Sequence, residues 1–384
     1  MANNVLTALA PTLFAAGKAV PREVVGVVAA TNTDFDAQGV SQGSTVTVPV
    51  APAQAIGDVT PSQAFTAGTG RTASSKSVTL ANFKETSWNL NAEEERLLLN
   101  GGVNATEMFR QTVEQGWRIL ANTIEANAWA KCYVASSRAI GTAGTTPFAT
   151  TTALIPSLRK ILIDNGVSVN SSDCSLVIDT DASANLLSLT QLTDVNRAGG
   201  DQELRRGVLR DLFGFSIRES AQIGIHTKGT ATGYDATAAF AIGAETITVD
   251  GSDAGTILAG DITTWVGDTN KYVIGSATAS GAASGNIVLN NPGLRAALAD
   301  TTEGTTGASY TANLALHRNA AVTVVRPGLQ PEGAAAEQMV LTDPVTGLSC
   351  LMLRVPGNAM ASYYMRIVYD TSVINSHQIA TLLG

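Results

Sequence analysis

Histidine, cysteine and charge are all scarce in this chain, and each scarcity removes a class of function. Only three histidines and three cysteines occur among 384 residues. His226, His317 and His377 sit in unrelated segments without His-x3-His or His-x-x-Glu spacing, so no metal site or nucleophile-base pair is marked by them. Cys132, Cys174 and Cys350 are odd in number and far apart, which fits a reduced cytosolic origin and no disulfide framework. No apolar run approaches the ~20 residues that span a bilayer. The first cation is Lys18, so the mildly apolar start lacks the basic region of a signal peptide.

Charged residues make up only 15% of the chain, and 32 Asp plus Glu face 24 Lys plus Arg. An acidic balance argues against nucleic-acid binding as the main activity, because phosphate contacts need clustered cations. So few charges over such a length imply surface buried against other subunits. What the chain does have is hydrophobic residues (45%) and 36 glycines, enough for a large core divided among several units.

Residues Val5 to Ala16 read as a short amphipathic helix carrying Leu6, Leu9, Leu13 and Phe14, weakened by Pro11. A long hairpin is expected next. Thr45-Val-Thr-Val48 alternates as one strand, and Ser77 to Leu80 with the segment through Trp88 supplies the return. Its Pro-, Gly- and Thr-rich tip is too irregular to stand alone. Asn91-Ala-Glu-Glu-Glu95 opens helical structure, where the macrodipole accounts for the acidic run. A capping box at Asn104 and Glu107 then starts the longest helix, to about Ser136. Phe109, Val113, Leu120, Ile124 and Ala128 form its apolar stripe, widened by Met108, Trp117 and Ile119.

Residues 150 to 227 alternate as α/β, with a helix over Pro156 to Asn165, a buried strand at Cys174 to Ile178 and a helix over Ala182 to Leu189. Asp179-Thr-Asp181 between the last two is read as that helix's cap rather than a metal pair. Gly68-Thr-Gly70-Arg-Thr-Ala73 has dinucleotide-like glycine spacing, but it follows no buried strand and opens no helix, so it is set aside. From Lys228 to about Thr311 the composition shifts to Gly, Ala, Thr and Ser with short strands at regular spacing, which reads as a small all-β barrel. The α/β pattern resumes at Asn313, so the barrel is an insertion.

The closing third carries a resemblance. Asn313-Leu-Ala-Leu-His317-Arg318-Asn319-Ala320 runs into the strand Val322-Thr-Val-Val-Arg326-Pro327, followed by Leu351-Met-Leu-Arg354, Met365-Arg-Ile-Val-Tyr369-Asp370 and the terminal Ile379 to Gly384. Earlier, Gly207-x6-Gly214-Phe215 steps into a strand, and Gly260-Asp261, Tyr272 and Asn291-Pro292-Gly293-Leu294 punctuate the insertion. In this order the pieces resemble tailed-bacteriophage major capsid (coat) proteins of the Hong Kong 97-type fold. Within them they are similar to the Salmonella phage P-twenty-two coat group, which has an inserted β-barrel domain.

That resemblance implies an α+β fold: an N-terminal arm (1–43), an extended β-hairpin loop (44–90), a peripheral domain with a spine helix (91–149), an α/β axial domain (150–227), the inserted all-β barrel (228–312), and closing axial and peripheral strands (313–384). It implies no enzyme and no cofactor. It implies a homo-oligomer of hexamers and pentamers closing into an icosahedral virion capsid, assembled in the host cytoplasm around double-stranded DNA held without sequence-specific binding. A separate scaffolding protein and a portal protein are implied as partners, a decoration protein is left open, and no membrane is involved. An acidic wall suits a genome that must later be released.

Phe65 and Trp88 on the hairpin are expected as intersubunit anchors, since a thin arm cannot bury aromatics against itself. Lys76 and Lys84 lie in the same hairpin, where some relatives of the fold crosslink covalently. Arg205, Arg206 and Arg210 are candidates for ion pairs around a capsomer or for a solvated helix face. Glu23, Asp34 and Asp36 are candidate contacts for a basic scaffolding protein. The alternatives are an encapsulin-like nanocompartment shell, a secreted β-rich surface or adhesion protein suggested by the Thr/Gly/Ala content, and, third, an enzyme.

Overall fold

The computed structural model of the chain describes residues 5–19, 26–36, 38–50, 74–100, 103–193, 211–250, 255–278, 285–329, 336–342 and 347–384. Two mixed helix–sheet layers and a barrel share the work of burial. The first layer is a six-stranded sheet whose backbone is the long strand Met360–Val373. Asn82–Asn91 pairs along one edge of it; Ser349–Pro356 and Ala321–Pro327 divide the other edge. Glu337–Thr342 and the parallel arm strand Asn32–Phe35 complete the sheet.

Strand alternation splits this sheet into two apolar faces. Tyr363, Met365, Ile367 and Tyr369 face the long helix Val103–Val134, which buries Phe109, Val113, Trp117, Leu120, Ile124 and Ala128 on that side. Its 32 residues make a rod of about 48 Å. The arm helix Val5–Ala19 packs Leu6, Leu9, Leu13 and Ala16 into the same core. Pro11 lies inside that helix on its exposed side, so the packed face, rather than local propensity, holds it together. Val322, Val324 and Val368 point the other way, onto Val78 and Leu80 at the hairpin root.

The expected 44–90 hairpin is divided in the structure. Thr45–Val50 pairs with Ser74–Thr79, and the amides of Gly43 and Leu80 close its base by donating to the carbonyls of Leu80 and Ser44. Asn82–Asn91 leaves it for the main sheet, because its alternation matches the free edge of Met360–Val373. The long helix begins at Val103, with the expected capping side chain of Asn104 outside the described side chains; a capping box joins Asn91 and Glu94 on the preceding helix Ala92–Leu99. Met108 and Ile119 are solvent-exposed rather than part of the stripe. Each falls just outside the arc that the sheet and arm helix cover.

The second layer is built around Tyr310–His317, flanked by Cys174–Ile178 and the terminal strand Ile379–Leu383. Helices Leu154–Asp164 and Thr180–Ser188 cover it through Ile155, Leu158, Leu162, Ala182 and Leu186. The short strand Arg138–Gly141 pairs with the terminal strand on one side and with barrel strand Lys271–Ala277 on the other.

The barrel is closed. Ile262–Trp265, Glu303–Thr306, Gly233–Ala236, Thr246–Asp250, Gly285–Leu289 and Lys271–Ala277 follow one another, and the first and last pair again. Trp265, Tyr234, Ile247, Ile274, Ile287 and Leu289 fill it. Two of its strands, Gly233–Ala236 and Glu303–Thr306, carry too little hydrophobic alternation to be read from sequence. Phe109 packs edge-on to Tyr363 at 5.5 Å and to Trp88 at 6.2 Å, so this trio links helix, long strand and return strand. Phe109→Ala is expected to lower stability by about 3–5 kcal/mol in chemical denaturation of the isolated subunit; a change within ~0.5 kcal/mol means the trio is not a core.

Candidate functional site

Two of the three histidines are held in structural hydrogen bonds. His226 lies buried with its Nε2 at 2.8 Å from Asp261 Oδ1 and its Nδ1 at 3.3 Å from the Tyr133 hydroxyl. Asp261, fully buried, also accepts from the amides of Gly229 and Leu258. Tyr310 donates to the Gly260 carbonyl beside it. His226 and Tyr310 are where the chain enters and leaves the barrel, so this knot fastens the insertion at its base. His317 Nδ1 accepts from the Asn319 amide and caps a short turn. Burial lowers the His377 pKa. Among the described residues, no group of three or more His, Cys, Asp and Glu side chains is arranged to hold a metal ion. Asp179 stands at the N-cap position of Thr180–Ser188.

Two other polar knots hold the arm. Glu125, on the long helix, is buried and accepts from the amides of Val27 and Val28 and from the Ser220 hydroxyl. It thereby joins arm, helix and the loop after Phe215–Glu219. Gly26 is required here: a Cβ would lie 2.0 Å from the Glu125 carboxylate. Burial pushes the Glu125 carboxyl pKa up despite these donors. At the other end, Arg354 forms a two-pronged pair with Glu95 (2.6 and 2.9 Å) and reaches Glu337 at 3.1 Å. Tyr363 donates to Glu95, and Glu337 caps the arm helix by accepting from the Leu6 amide. The hydrogen-bonded Arg354 guanidinium holds the Glu95 carboxyl below its ordinary range. The acidic run read as a dipole effect is thus divided: Glu94 caps, and Glu95 ties helix to sheet.

Beside this second knot lies an apolar groove lined by Trp88, Leu90, Leu97, Met108 and Phe109. Met108 is 67% exposed and Leu97 is 56% exposed, which makes this edge the sticky part of the layer. Trp88 forms the groove wall by stacking on Tyr363 at 5.9 Å. The premise that the return strand cannot bury its aromatics within the subunit is therefore corrected: joining the sheet gives Trp88 a floor.

Lys76 donates to the Ile374 carbonyl and pins the hairpin root, while Lys84 is exposed on the return strand. Asp34 accepts from Arg326 at 2.9 Å, part of the arm's seat on the sheet. Asp36 is exposed and accepts from the Gln38 amide. Glu23, Phe65, the Gly68 to Ala73 glycine motif, Arg205, Arg206 and Arg210 lie outside the described residues. Sequence reasoning gave no site role to Glu125, Asp261, Arg354 or Leu97. Glu125 left a signal, a carboxylate four residues after Ala121 within the apolar stripe.

No family model matches the chain, and no curated protein matches it. Solved structures do. One is the asymmetric unit of the bacteriophage PhiM1 mature capsid: TM-score 0.49, 12% identity, covering 92% of this chain and 85% of that one. Another is the capsid structure of cyanophage P-SCSP1u: TM-score 0.47, 13% identity, covering 92% and 86%. A third comes from Mycobacterium phage Che8: TM-score 0.46, 14% identity, covering 91% and 92%. The chain resembles phage capsids. Among the described residues, no helix is long and apolar enough to cross a membrane.

The two knots predict opposite pH responses. Glu95, with its lowered pKa, contributes stability that is present above the ordinary carboxylate pKa and lost as pH falls through the depressed one. Glu125, with its raised pKa, contributes stability that is full below the ordinary value and lost as pH rises through the raised one. Denaturation midpoints measured across pH are expected to lose their acid limb in Glu95→Gln and their alkaline slope in Glu125→Gln. Unaltered profiles in both variants contradict the assignment.

Proposed function

We propose that this chain is a tailed-phage major capsid protein that assembles through hexamers and pentamers into an icosahedral shell enclosing double-stranded DNA. The observation that carries the reading is the order of parts: a packed arm, a hairpin rooted on the sheet, a long helix on that sheet, and a barrel inserted into an α/β layer. This is the order the sequence resemblance implies. A hairpin whose described strands rest on the sheet through Val46, Val48, Val78, Leu80 and Lys76 is suited to extend its tip beyond its own subunit. The exposed edge around Leu97 and Met108 supplies an apolar seat, and its occupant in this reading is a second copy of the chain.

Affinity is then spread over many modest contacts, which allows a shell to correct errors while it closes. The acidic net charge of −8 leaves packaged DNA unbound by sequence. The scaffolding and portal proteins belong to the same reading, as does movement of arm, hairpin and helix as rigid bodies during maturation. Arg205, Arg206, Arg210 and Phe65 are retained as candidate intersubunit contacts, and Glu23, Asp34 and Asp36 as scaffold contacts. Asp34 is the weakest of these, since Arg326 already occupies it.

Electron microscopy of the purified chain, alone and with a candidate scaffolding protein, tests the proposal. Closed shells or capsomers are expected, and a monodisperse monomer in both conditions overturns it. A double substitution, Leu97→Glu with Met108→Glu, is expected to leave subunit stability within ~0.5 kcal/mol, as exposed positions allow, while abolishing shell formation. Normal shells from that variant remove the groove from the assembly surface.

A further inference from the structure

The barrel and the second layer meet at a cavity of about 330 Å³, lined in part by Arg138, Ser157, Lys160, Asp164, Asn270 and Lys271. Arg138 is the unusual residue there. It is 4% exposed, yet its hydrogen-bond partners are all neutral: Asn270 Oδ1 at 3.0 Å, the Ile161 carbonyl at 3.2 Å and Asn165 Oδ1 at 3.1 Å. The Asp164 carboxylate stands off at 3.8 Å, and Arg138 Nε is buried with no acceptor. A buried guanidinium without close counter-charge costs several kcal/mol. Its neighbours deepen the imbalance, since Lys160 and Lys271 line the same cavity and Arg295 acts on Arg138 as a like charge, against Asp164 and Asp268. Three cations and one carboxylate line the cavity, in a chain whose overall charge is −8.

We propose that this cavity binds a tetrahedral oxyanion of the phosphate type. Phosphate oxygens accept charge-assisted hydrogen bonds from guanidinium and ammonium groups alike, and so answer the excess of cations at the cavity. Lys271 directs one donor to the Gly141 carbonyl at 2.6 Å, and an ammonium carries three. Lys160, exposed at the rim, is placed to meet an incoming anion. The site joins the helix Leu154–Asp164, the strand Arg138–Gly141 and the first residues of the barrel strand Lys271–Ala277. An occupant therefore braces the barrel against the second layer. The phosphate has two sources, free phosphate or a nucleic-acid backbone, and the inference does not depend on the assembly reading.

The test is thermal unfolding of the full chain in sodium phosphate and in sodium chloride at matched ionic strength. A saturable rise of the midpoint specific to phosphate is expected, because a ligand that binds only the folded state raises its stability by mass action. Arg138→Gln should abolish the rise, but it also removes structural hydrogen bonds, so Lys160→Ala carries the test. That variant is expected to unfold at the wild-type midpoint in chloride and to bind phosphate about tenfold more weakly, as loss of a charge-assisted contact implies. Equal midpoints in the two salts, or full phosphate response in Lys160→Ala, overturns the proposal. Where the response is present, displacement of phosphate by a short DNA duplex, followed by phosphorus NMR, identifies the backbone as the source. Retention of phosphate identifies the free ion.

Discussion

The strand Met360–Val373 is the constraint on which the rest depends. It is paired on both edges by three other strands, and its two faces serve different neighbours. Tyr363 and Met365 receive the long helix, while Val368 receives the hairpin root. A one-residue slip would exchange these faces and expose both cores at once, so the register is fixed from two sides. Arm, helix and hairpin all take their positions from this one strand.

Around that frame the polar contacts are few and placed where segments distant in sequence must be held together. Glu125 gathers the arm, the helix and the loop at Ser220; the Arg354 knot gathers the arm helix, the helix Ala92–Leu99 and three sheet strands. One is a carboxylate paid little by its surroundings in charge, surrounded mainly by dipoles; the other is an ion pair with a close cation. Their opposite responses to protons follow from that difference. Hydrophobic packing supplies the adhesion, and these knots choose which surfaces meet.

Much of this was legible in the sequence wherever periodicity was strong. The arm helix, the long helix, the buried strand Cys174–Ile178 and the all-β character of the insertion follow from apolar spacing alone. The return strand was not assignable, because alternation tells that a segment is a strand without naming its partner. Asn82–Asn91 reads equally well as half of a hairpin or as a sheet edge. Met108 and Ile119 were misjudged because the width of a buried stripe is set by what covers the helix, not by the helix. The knots were unreadable for a similar reason: Glu95 and Arg354 are far apart in sequence, and nothing near either one announces the other. The groove at Leu97 and Met108 emerged only once Trp88 had a place in the sheet.

The barrel's attachment has a mechanical meaning. A domain inserted through two strands of linker swings like a pendulum and passes no torque to its host. Here the barrel strand Lys271–Ala277 shares a backbone ladder with Arg138–Gly141, which pairs with the terminal strand and through it with Tyr310–His317. The Asp261 knot adds a second clamp at the base. A body clamped at two points is a cantilever: pushing its tip sideways twists the sheet that holds it. Load applied to the barrel is therefore felt as shear between the strands of the second layer, and its stiffness is set by hydrogen-bonded backbone rather than by a hinge.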